Sequence, residues 1–247
     1  MILFLRKENA YPIMKTVVIT GANRGLGLEF AQQYQSENWN VIACCRNPES
    51  ATELQKSSSS IRKLDLLDFE AIDAFAASLD GKPIDLLINN AAIHDKSMVE
   101  GFSGIESERW VDGFRVNAIA PVLLTKALLE NLSAAENPVA ATIGSQQGCL
   151  TLYETGGTYL YRTSKAAAHS AAVILANDLR GHGIPYVCLR PGHTKTDMGG
   201  SGAPYEIDDS VRLMRHVLAE VDMAQSGCFL DRSGALIPWS MEKDLNE

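Results

Sequence analysis

A phenol and an ammonium stand four residues apart at Tyr161 and Lys165, within an alanine-rich segment whose pattern predicts a helix. Side chains at that spacing share one helical face. A phenol with an ordinary pKa of about 10 is a poor proton donor at neutral pH, and a fixed cation beside it lowers that pKa. The pair could therefore supply a proton to a carbonyl oxygen. Alternatively, Tyr161 packs in the core and Lys165 is solvated.

A glycine-rich turn, Thr20-Gly21-Ala22-Asn23-Arg24-Gly25-Leu26-Gly27, separates a short apolar strand pattern from an amphipathic helix pattern. Glycines let the backbone approach a pyrophosphate, and the new helix directs its first N–H groups and positive dipole end towards it. The spacing is G-x-x-x-G-x-G, which differs from the general G-x-G-x-x-G fingerprint. The turn predicts a phosphate site, with a glycine turn that binds no nucleotide as the alternative.

The residues that follow the second strand pattern indicate which dinucleotide is bound. About 20 residues after the glycines, NAD-specific domains carry an acid for the ribose 2′-hydroxyl. This chain has Cys44-Cys45-Arg46-Asn47 there. Arg46 and Arg24 could clamp a 2′-phosphate by charge-assisted hydrogen bonds, which favours NADP(H) over NAD(H). Arg46 could also be an ordinary solvated charge.

Polar residues also end the next two strand patterns. Asp65 could accept a hydrogen bond from the adenine amino group, and Asn89-Asn90-Ala91-Ala92 brings two side-chain amides to the end of the fourth strand. Both could instead satisfy backbone groups in turns. For Asn89 that structural role is at least as good an interpretation as cofactor contact.

Short apolar runs alternate with longer helical patterns from residue 16 onward, which is typical of a parallel sheet covered on both faces. The fold class is therefore predicted as α/β: one doubly wound, Rossmann-type parallel sheet of about seven strands with right-handed crossovers. Ligands should lie beyond the carboxyl ends of the strands. The strand candidates are 16–20, 40–45, 61–65, 84–89, 138–144, 184–190 and 227–231, and the helical patterns lie near 26–37, 68–79, 105–132 with a break, 161–180 and 208–221.

No linker, charge block or internal repeat divides the 247 residues. We expect residues 14–247 to form a single NAD(P)-binding domain and 1–13 to be an extension that is not part of the fold. The net charge of −8, with scattered Lys and Arg, argues against nucleic acid and an anionic membrane as partners. No apolar run reaches the roughly 18 residues of a membrane span.

The five cysteines are odd in number and lie mostly in apolar runs, which indicates reduced, buried thiols in a cytoplasmic protein. No Cys/His/carboxylate cluster suggests a metal. His94 and His193 could face a substrate, although isolated histidines are commonly loop residues. A further set of side chains, for which core packing is the commoner fate, could line an apolar pocket: Tyr153, Met198, Tyr205 and Trp239.

These residues together resemble the short-chain dehydrogenase/reductase family, in its subfamily with a T-G-x-x-x-G-x-G motif. The resemblance covers nearly all of residues 15–240. It is carried by Thr20 to Gly27, by Asn89 to Ala92 in place of N-N-A-G, by Asn117, by Ser145 with Tyr161 and Lys165, and by Pro191-Gly192 with Thr196. The chain is also similar to the C-factor and Sniffer-type carbonyl reductase branch, through Cys45 to Pro48, Tyr161 to Lys165, Thr196 to Gly200 and Gly227 to Trp239. Ser145 and Tyr161 are somewhat further apart than is usual, which fits an insertion around Tyr153 to Gly157.

The resemblance implies that hydride passes between a nicotinamide and a carbonyl carbon, while Tyr161 supplies the proton and Ser145 polarises the carbonyl oxygen. Lys165 is implied to lower the phenol pKa and to hold the nicotinamide ribose, with Asn117 supporting it through a proton-relaying water. The expected cofactor-binding residues are Gly21, Asn23, Arg24, Gly25, Leu26, Gly27, Arg46, Asp65, Leu66, Asn90, Ala91, Ala92, Tyr161, Lys165, Pro191, Gly192, Thr194 and Thr196. The family commonly pairs the Tyr161 and Asn117 helices across a symmetric interface, so a homodimer or a tetramer is expected.

The leading interpretation is an NADPH-dependent carbonyl reductase, with the reverse alcohol oxidation also possible. No charged motif demands a particular substrate, so a small neutral ketone, aldehyde or quinone is the default. A second interpretation is a dinucleotide-binding signalling or regulatory protein of the C-factor type, in which turnover is incidental. A dehydratase or epimerase is disfavoured because no large substrate domain follows the sheet.

Overall fold

The computed structural model describes residues 14–57, 59–94, 101–153 and 155–239, so the expected extension at 1–13 lies outside the described residues. The strands are β1 Thr16–Thr20, β2 Asn40–Cys45, β3 Ser60–Lys63, β4 Leu86–Asn89, β5 Val139–Ile143, β6 Tyr186–Arg190 and β7 Phe229–Asp231. The helices are α1 Gly25–Ser36, α2 Thr52–Gln55, α3 Phe69–Ala77, α4 Ser107–Phe114, α5 Ala120–Ala127, α6 Leu129–Ser133, α7 Tyr159–Leu179 and α8 Ile207–Glu220.

The strands form one parallel sheet in the order β3-β2-β1-β4-β5-β6-β7. This confirms the predicted fold class, and every predicted strand is present. The strand order reverses between β1 and β4, and open α/β sheets bind ligands in the crevice at such a point.

Two apolar layers cover the sheet because side chains alternate along each strand. In β1, Val17 and Ile19 pack in the layer that contains Phe30 of α1 and the buried face of α8. Val18 faces the other layer, with buried side chains of α3, α5 and α7. The buried, apolar character of the central strands is what parallel sheets require.

The predicted break within 105–132 is a π-helical turn over Arg115–Ile119, between α4 and α5. Pro121 lies in the first turn of α5. Proline has no N–H to donate and its ring clashes with the preceding helical turn, so a wider turn before it is expected. This turn carries Asn117 and buries it.

Candidate active site

The turn between β1 and α1 comes very close to the end of β4. Gly21 has a φ of +66°, and a Cβ there would lie 2.9 Å from the Cα of Ala91. Asn90 fastens the two segments, because its Nδ2 donates to Thr20 O at 2.8 Å and its N–H donates to Thr20 Oγ1 at 3.0 Å. The glycine turn is thus fixed against the end of β4 by hydrogen bonds between side chains and backbone.

Gly27 was expected to contact the cofactor, but it lies behind the turn. A Cβ at Gly27 would collide with Gly21 O and would be 2.5 Å from Asn90 Nδ2. Its role is therefore close packing of α1 against the turn, which only glycine permits.

A crevice of about 250 Å³, hereafter the glycine-loop crevice, opens beyond the carboxyl ends of β1, β2 and β4. Arg24 is the N-cap of α1 and makes no side-chain cap hydrogen bond, and the first turn of α1 contains no acidic residue. The first N–H groups of α1 are therefore available to an anion. The predicted residues that line the crevice are Gly21, Asn23, Arg24, Gly25, Leu26, Arg46, Asp65, Leu66, Asn90, Ala91, Ala92, Tyr161, Lys165 and Thr196. This open helix terminus, with glycines in close contact, fits the pyrophosphate of a dinucleotide.

The two arginines predicted to hold a 2′-phosphate both line this crevice. Arg46 is exposed just after β2. Arg24 Nη1 forms an ion pair with Asp197 Oδ2 at 2.8 Å, and both side chains are exposed. An exposed pair of this kind contributes only about 0–1 kcal/mol. Arg24 can therefore exchange Asp197 for a phosphate at little cost.

The other polar strand ends divide between the crevice and the core. Asp65 lines the crevice, and its Oδ1 accepts from Leu67 N at 3.0 Å. Asn89 is buried, and its Nδ2 donates to Thr125 Oγ1 and to Tyr186 OH, each at 3.3 Å. The structural interpretation of Asn89 is therefore the right one.

A second cavity of about 410 Å³, hereafter the serine-side cavity, adjoins the crevice. Ser145 lines only this cavity and Lys165 lines only the crevice, whereas Tyr161 lines both. Tyr161 is 9% exposed and hydrogen-bonds to the Ser145 side chain. The three residues come together at the junction of the two spaces, with Tyr161 between the other two.

The expected lowering of the Tyr161 pKa is wrong for this structure. Burial raises the pKa of Tyr161, and the hydrogen bond with Ser145 only partly opposes this. Lys165 lies over the Tyr161 ring, 5.6 Å from its centre, and donates from Nζ to Ile143 O at 2.7 Å. Burial lowers the pKa of Lys165 to about 8. Tyr161 therefore stays protonated at neutral pH. The Lys165 ammonium group beside it has a pKa only slightly above neutral pH.

Asn117 does not line either cavity. Its Oδ1 accepts from Ile93 N at 2.7 Å, and its Nδ2 donates to Ile93 O at 2.9 Å and to Ser164 Oγ at 2.9 Å. Both side-chain donors are thus engaged by protein groups, and the water-mediated support of Lys165 stays a prediction. In this structure Asn117 joins the segment after β4 to the helix that carries Tyr161.

His169 is a residue of this site that the sequence analysis missed. It is 4% exposed, and its Nε2 accepts a hydrogen bond from Ser145 N at 3.3 Å. Burial, assisted by the charge of Lys165, lowers the pKa of His169 to about 4, so the ring is neutral and can accept. The available signal was spacing, since His169 follows Lys165 by four residues and shares its helical face.

The insertion between Ser145 and Tyr161 is folded back onto α7. Tyr153 OH donates to Gln147 O at 2.8 Å and to Arg162 O at 3.2 Å. The guanidinium of Arg162 lies over the Tyr153 ring and donates to Thr155 O. The insertion thus adds Tyr153 to the wall of the serine-side cavity, and Ser145 and Tyr161 remain side by side.

The segment expected to close over the nicotinamide lines the serine-side cavity through Pro191, Gly192, Thr194 and Thr196. Thr194 is buried, and its Oγ1 donates to Pro191 O at 3.2 Å and to Ser210 Oγ at 3.3 Å. The Thr194 hydroxyl is therefore hydrogen-bonded within the protein. Thr194 contributes its other atoms to the cavity wall.

The histidines and aromatic residues that the sequence left open fall into two groups. His94, His193, Tyr153 and Met198 line the serine-side cavity. The His94 ring meets the Tyr161 ring edge-on at 4.8 Å. Tyr205 packs beneath the guanidinium of Arg232, and Trp239 stacks on Phe229 at 5.2 Å, so these two are packing residues.

The described residues contain no group of His, Cys, Asp or Glu side chains placed to bind a metal ion. No helix among them combines the length and apolar character needed to cross a membrane. All five cysteines are free thiols, four of them buried and Cys228 partly buried.

Comparison with known proteins agrees with this geometry. The short chain dehydrogenase family profile matches residues 15–205. The chain is 36% identical over 166 residues to the protein named C-signal of Myxococcus xanthus, covering 67% of this chain and 99% of that protein. The carbonyl reductase Sniffer of D. melanogaster superposes with a TM-score of 0.85 at 31% identity, covering 92% of this chain and 100% of that one. An NADPH-bound carbonyl reductase from chicken fatty liver superposes with a TM-score of 0.84 at 34% identity, covering 92% of this chain and 99% of that one. The chain therefore belongs to the short-chain dehydrogenase/reductase family of oxidoreductases.

Proposed function

We propose that this protein reduces the carbonyl of a small ketone, aldehyde or quinone with NADPH, and that the reverse alcohol oxidation uses the same site. The observation that carries this proposal is the position of Tyr161, which lines both the glycine-loop crevice and the serine-side cavity. A proton donor at this junction can reach a carbonyl in the serine-side cavity, beside the segment from Pro191 to Thr196 that is expected to close over the nicotinamide.

The cofactor preference follows from charge. Arg46 and Arg24 line the crevice where a ribose 2′-phosphate would lie, and no acidic residue occupies 44–47. A 2′-phosphate is held well by guanidinium groups, whereas a carboxylate there would repel it. The NADPH-bound state of the chicken carbonyl reductase structure supports the same choice.

In this proposal the nicotinamide, when bound, supplies the hydride. Tyr161 keeps its proton at neutral pH because burial raises its pKa, and it donates that proton to the carbonyl oxygen. The Ser145 hydroxyl hydrogen-bonds to the same oxygen and polarises it. Lys165, cationic below about pH 8, stabilises the phenolate that remains. Asn117 acts as a positioning residue through Ile93 and Ser164.

We further propose that the protein is a cytoplasmic homodimer that pairs through the α4–α5 segment and α7. Exposed apolar side chains lie on these elements, at Val111, Ile119 and Ile174. Such side chains are commonly buried by association. The free cysteines support a reducing compartment.

The direct test is NADPH oxidation across a panel of aldehydes, ketones and quinones, with NADH and a Tyr161→Phe variant run in parallel. We expect turnover of some carbonyl compounds, faster with NADPH, and loss of that turnover in the variant. A wild-type protein that binds NADPH tightly but reduces nothing in the panel contradicts the proposal.

The similarity to C-signal favours one second candidate, a dinucleotide-binding regulatory protein whose turnover is incidental. The same panel separates the two. Tight NADPH binding with no turnover, together with an unchanged affinity in Tyr161→Phe, is the result that this candidate predicts.

A further inference from the structure

The serine-side cavity contains a guanidinium group without a counter-ion in contact. Arg190 is the last residue of β6, is half-buried, and lines this cavity together with Ser145 and Tyr161. Among the described residues its side chain has no hydrogen-bond or ion-pair partner. A half-buried guanidinium is partly desolvated, and an anionic ligand can supply the hydrogen-bond acceptors that the described residues do not.

The position of Arg190 in the sheet directs it towards the site. Side chains two residues apart lie on the same face of a strand, and Cys188 is buried on the face covered by α7. Arg190 is therefore on the face that carries Tyr161. Its charge acts on Cys149, just beyond the turn that follows Ser145, and on Asp231.

Asp231 does not neutralise Arg190 by contact. It lies opposite Arg190 on β7, but its Oδ1 accepts from Ser233 N at 2.8 Å, Ser233 Oγ at 2.7 Å and Ala235 N at 3.1 Å. One oxygen of the Asp231 carboxylate is thus held within its own turn, and neither oxygen is within ion-pair distance of Arg190 among the described residues. The N–H donors of the Arg190 guanidinium therefore remain available to a ligand.

The remaining wall of the cavity is compatible with an anion. None of its described lining residues is acidic, although the whole chain has a net charge of −8. Arg162, His94 and His193 also line it. Arg162 donates to Thr155 O, so Arg190 is the guanidinium that is available. The cavity is locally positive in an acidic protein.

We infer that the substrate is a carbonyl compound that also carries a carboxylate, which Arg190 binds while the carbonyl faces Ser145 and Tyr161. Planar guanidinium groups bind carboxylates through paired hydrogen bonds, which fixes orientation as well as position. The inference rests on the proposed reductase function and narrows its substrate class from neutral to anionic carbonyl compounds.

The test compares each acid with its methyl ester, in two pairs that place the carboxylate at different distances: phenylglyoxylate with methyl phenylglyoxylate, and 4-carboxybenzaldehyde with methyl 4-formylbenzoate. We expect wild type to prefer the acid in at least one pair by about tenfold or more in kcat/KM. Arg190→Gln should lower kcat/KM for that acid about 10- to 100-fold and leave the ester nearly unchanged. Arg190→Lys, which keeps the charge but not the fork, should retain part of the preference.

Arg212→Gln is the matched control, because Arg212 forms an exposed ion pair with Asp209 on α8, away from the cavity. It should leave both members of each pair unaffected. Equal rates for acid and ester in wild type, or an equal loss for both in Arg190→Gln, overturn the inference. Thermal melting of each variant shows whether the fold is intact.

Failure of the reductase proposal gives a different result, which is no turnover of any compound by wild type. In that case calorimetry can test whether Arg190 binds an anion, independently of turnover. The ligand is 4-(hydroxymethyl)benzoate, and the protein is loaded with NADP⁺. Binding by wild type that is lost in Arg190→Gln supports the site, and absence of binding to wild type refutes it.

Discussion

Replacing His169 with phenylalanine tests whether the alignment of Ser145 depends on the hydrogen bond that the Ser145 N–H donates to His169 on α7. His169 Nε2 accepts from Ser145 N at 3.3 Å. The imidazole also packs on Phe229 and Trp239, with ring centres 4.6 Å and 5.3 Å away. A phenyl ring can keep these contacts, but it removes the acceptor. The substitution therefore isolates the hydrogen bond from the packing.

The expected size of the effect follows from the length of that bond. A buried N–H left without an acceptor costs about 1–3 kcal/mol, and because the Ser145 N–H is only partly buried and its bond is 3.3 Å long, this case lies near the lower end. A loss of about 1 kcal/mol lowers the melting temperature of a chain of this size by about 2–4 °C. The same energy lost from alignment of the Ser145 hydroxyl lowers kcat about fivefold.

The assay is steady-state reduction of a carbonyl substrate, with NADPH affinity measured separately. Affinity should not change, because His169 does not line the glycine-loop crevice. His169→Gln, whose amide oxygen can replace the acceptor, should recover much of kcat. In a Ser145→Ala background His169→Phe should have little further effect on kcat. An equal loss in that background refutes the reasoning, because the loss would then not act through Ser145.

Four other predictions follow from the same geometry. Burial lowers the pKa of Lys165 to about 8, so kcat for reduction should fall above that pH, and a pH–rate profile that is flat to about pH 10 contradicts this. Burial lowers the pKa of His169 to about 4, below its unfolded value of about 6.5, so stability is complete above pH 6.5 and falls by up to about 3 kcal/mol as the pH drops to 4. Denaturant titrations at several pH values should show a weaker acid dependence in His169→Gln. Gly27→Ala forces a Cβ against Gly21 O, and should lower the free energy of unfolding by about 2 kcal/mol or more in urea titrations. Arg46→Glu should raise KM for NADPH by about tenfold or more with little change for NADH, and equal changes for both cofactors count against a 2′-phosphate site.

The sheet could be predicted from the sequence because its strands are buried on both faces. Runs such as 17–19 and 186–189 contain only hydrophobic residues, which marks the central strands of a parallel sheet. The order of strands and helices then follows from short, right-handed connections. The glycine turn could also be predicted, because two backbone segments in close contact leave no room for a side chain and therefore require glycine.

The details of the site were harder to predict from the sequence, because they depend on how deeply each side chain is buried and on where it points. The spacing of Tyr161 and Lys165 gives a shared helical face, but not the burial that raises one pKa and lowers the other. Nor does it show that Lys165 donates to Ile143 O. The hydrogen bond between His169 and Ser145 joins residues 24 positions apart, and no local pattern encodes it. Gly27 was assigned by its motif to the cofactor, whereas its contacts are with the turn itself.

The most direct measurement of the central claim is a single-turnover comparison of wild type and Tyr161→Phe, each preloaded with NADPH and mixed with the best carbonyl substrate. Tyr161 lies at the junction of the two cavities, so both proteins should bind NADPH with similar affinity. Hydride transfer in the variant should be slower by about 100-fold or more, as expected for loss of a general acid. Transfer in Tyr161→Phe at close to the wild-type rate would contradict the assignment of Tyr161 as the proton donor.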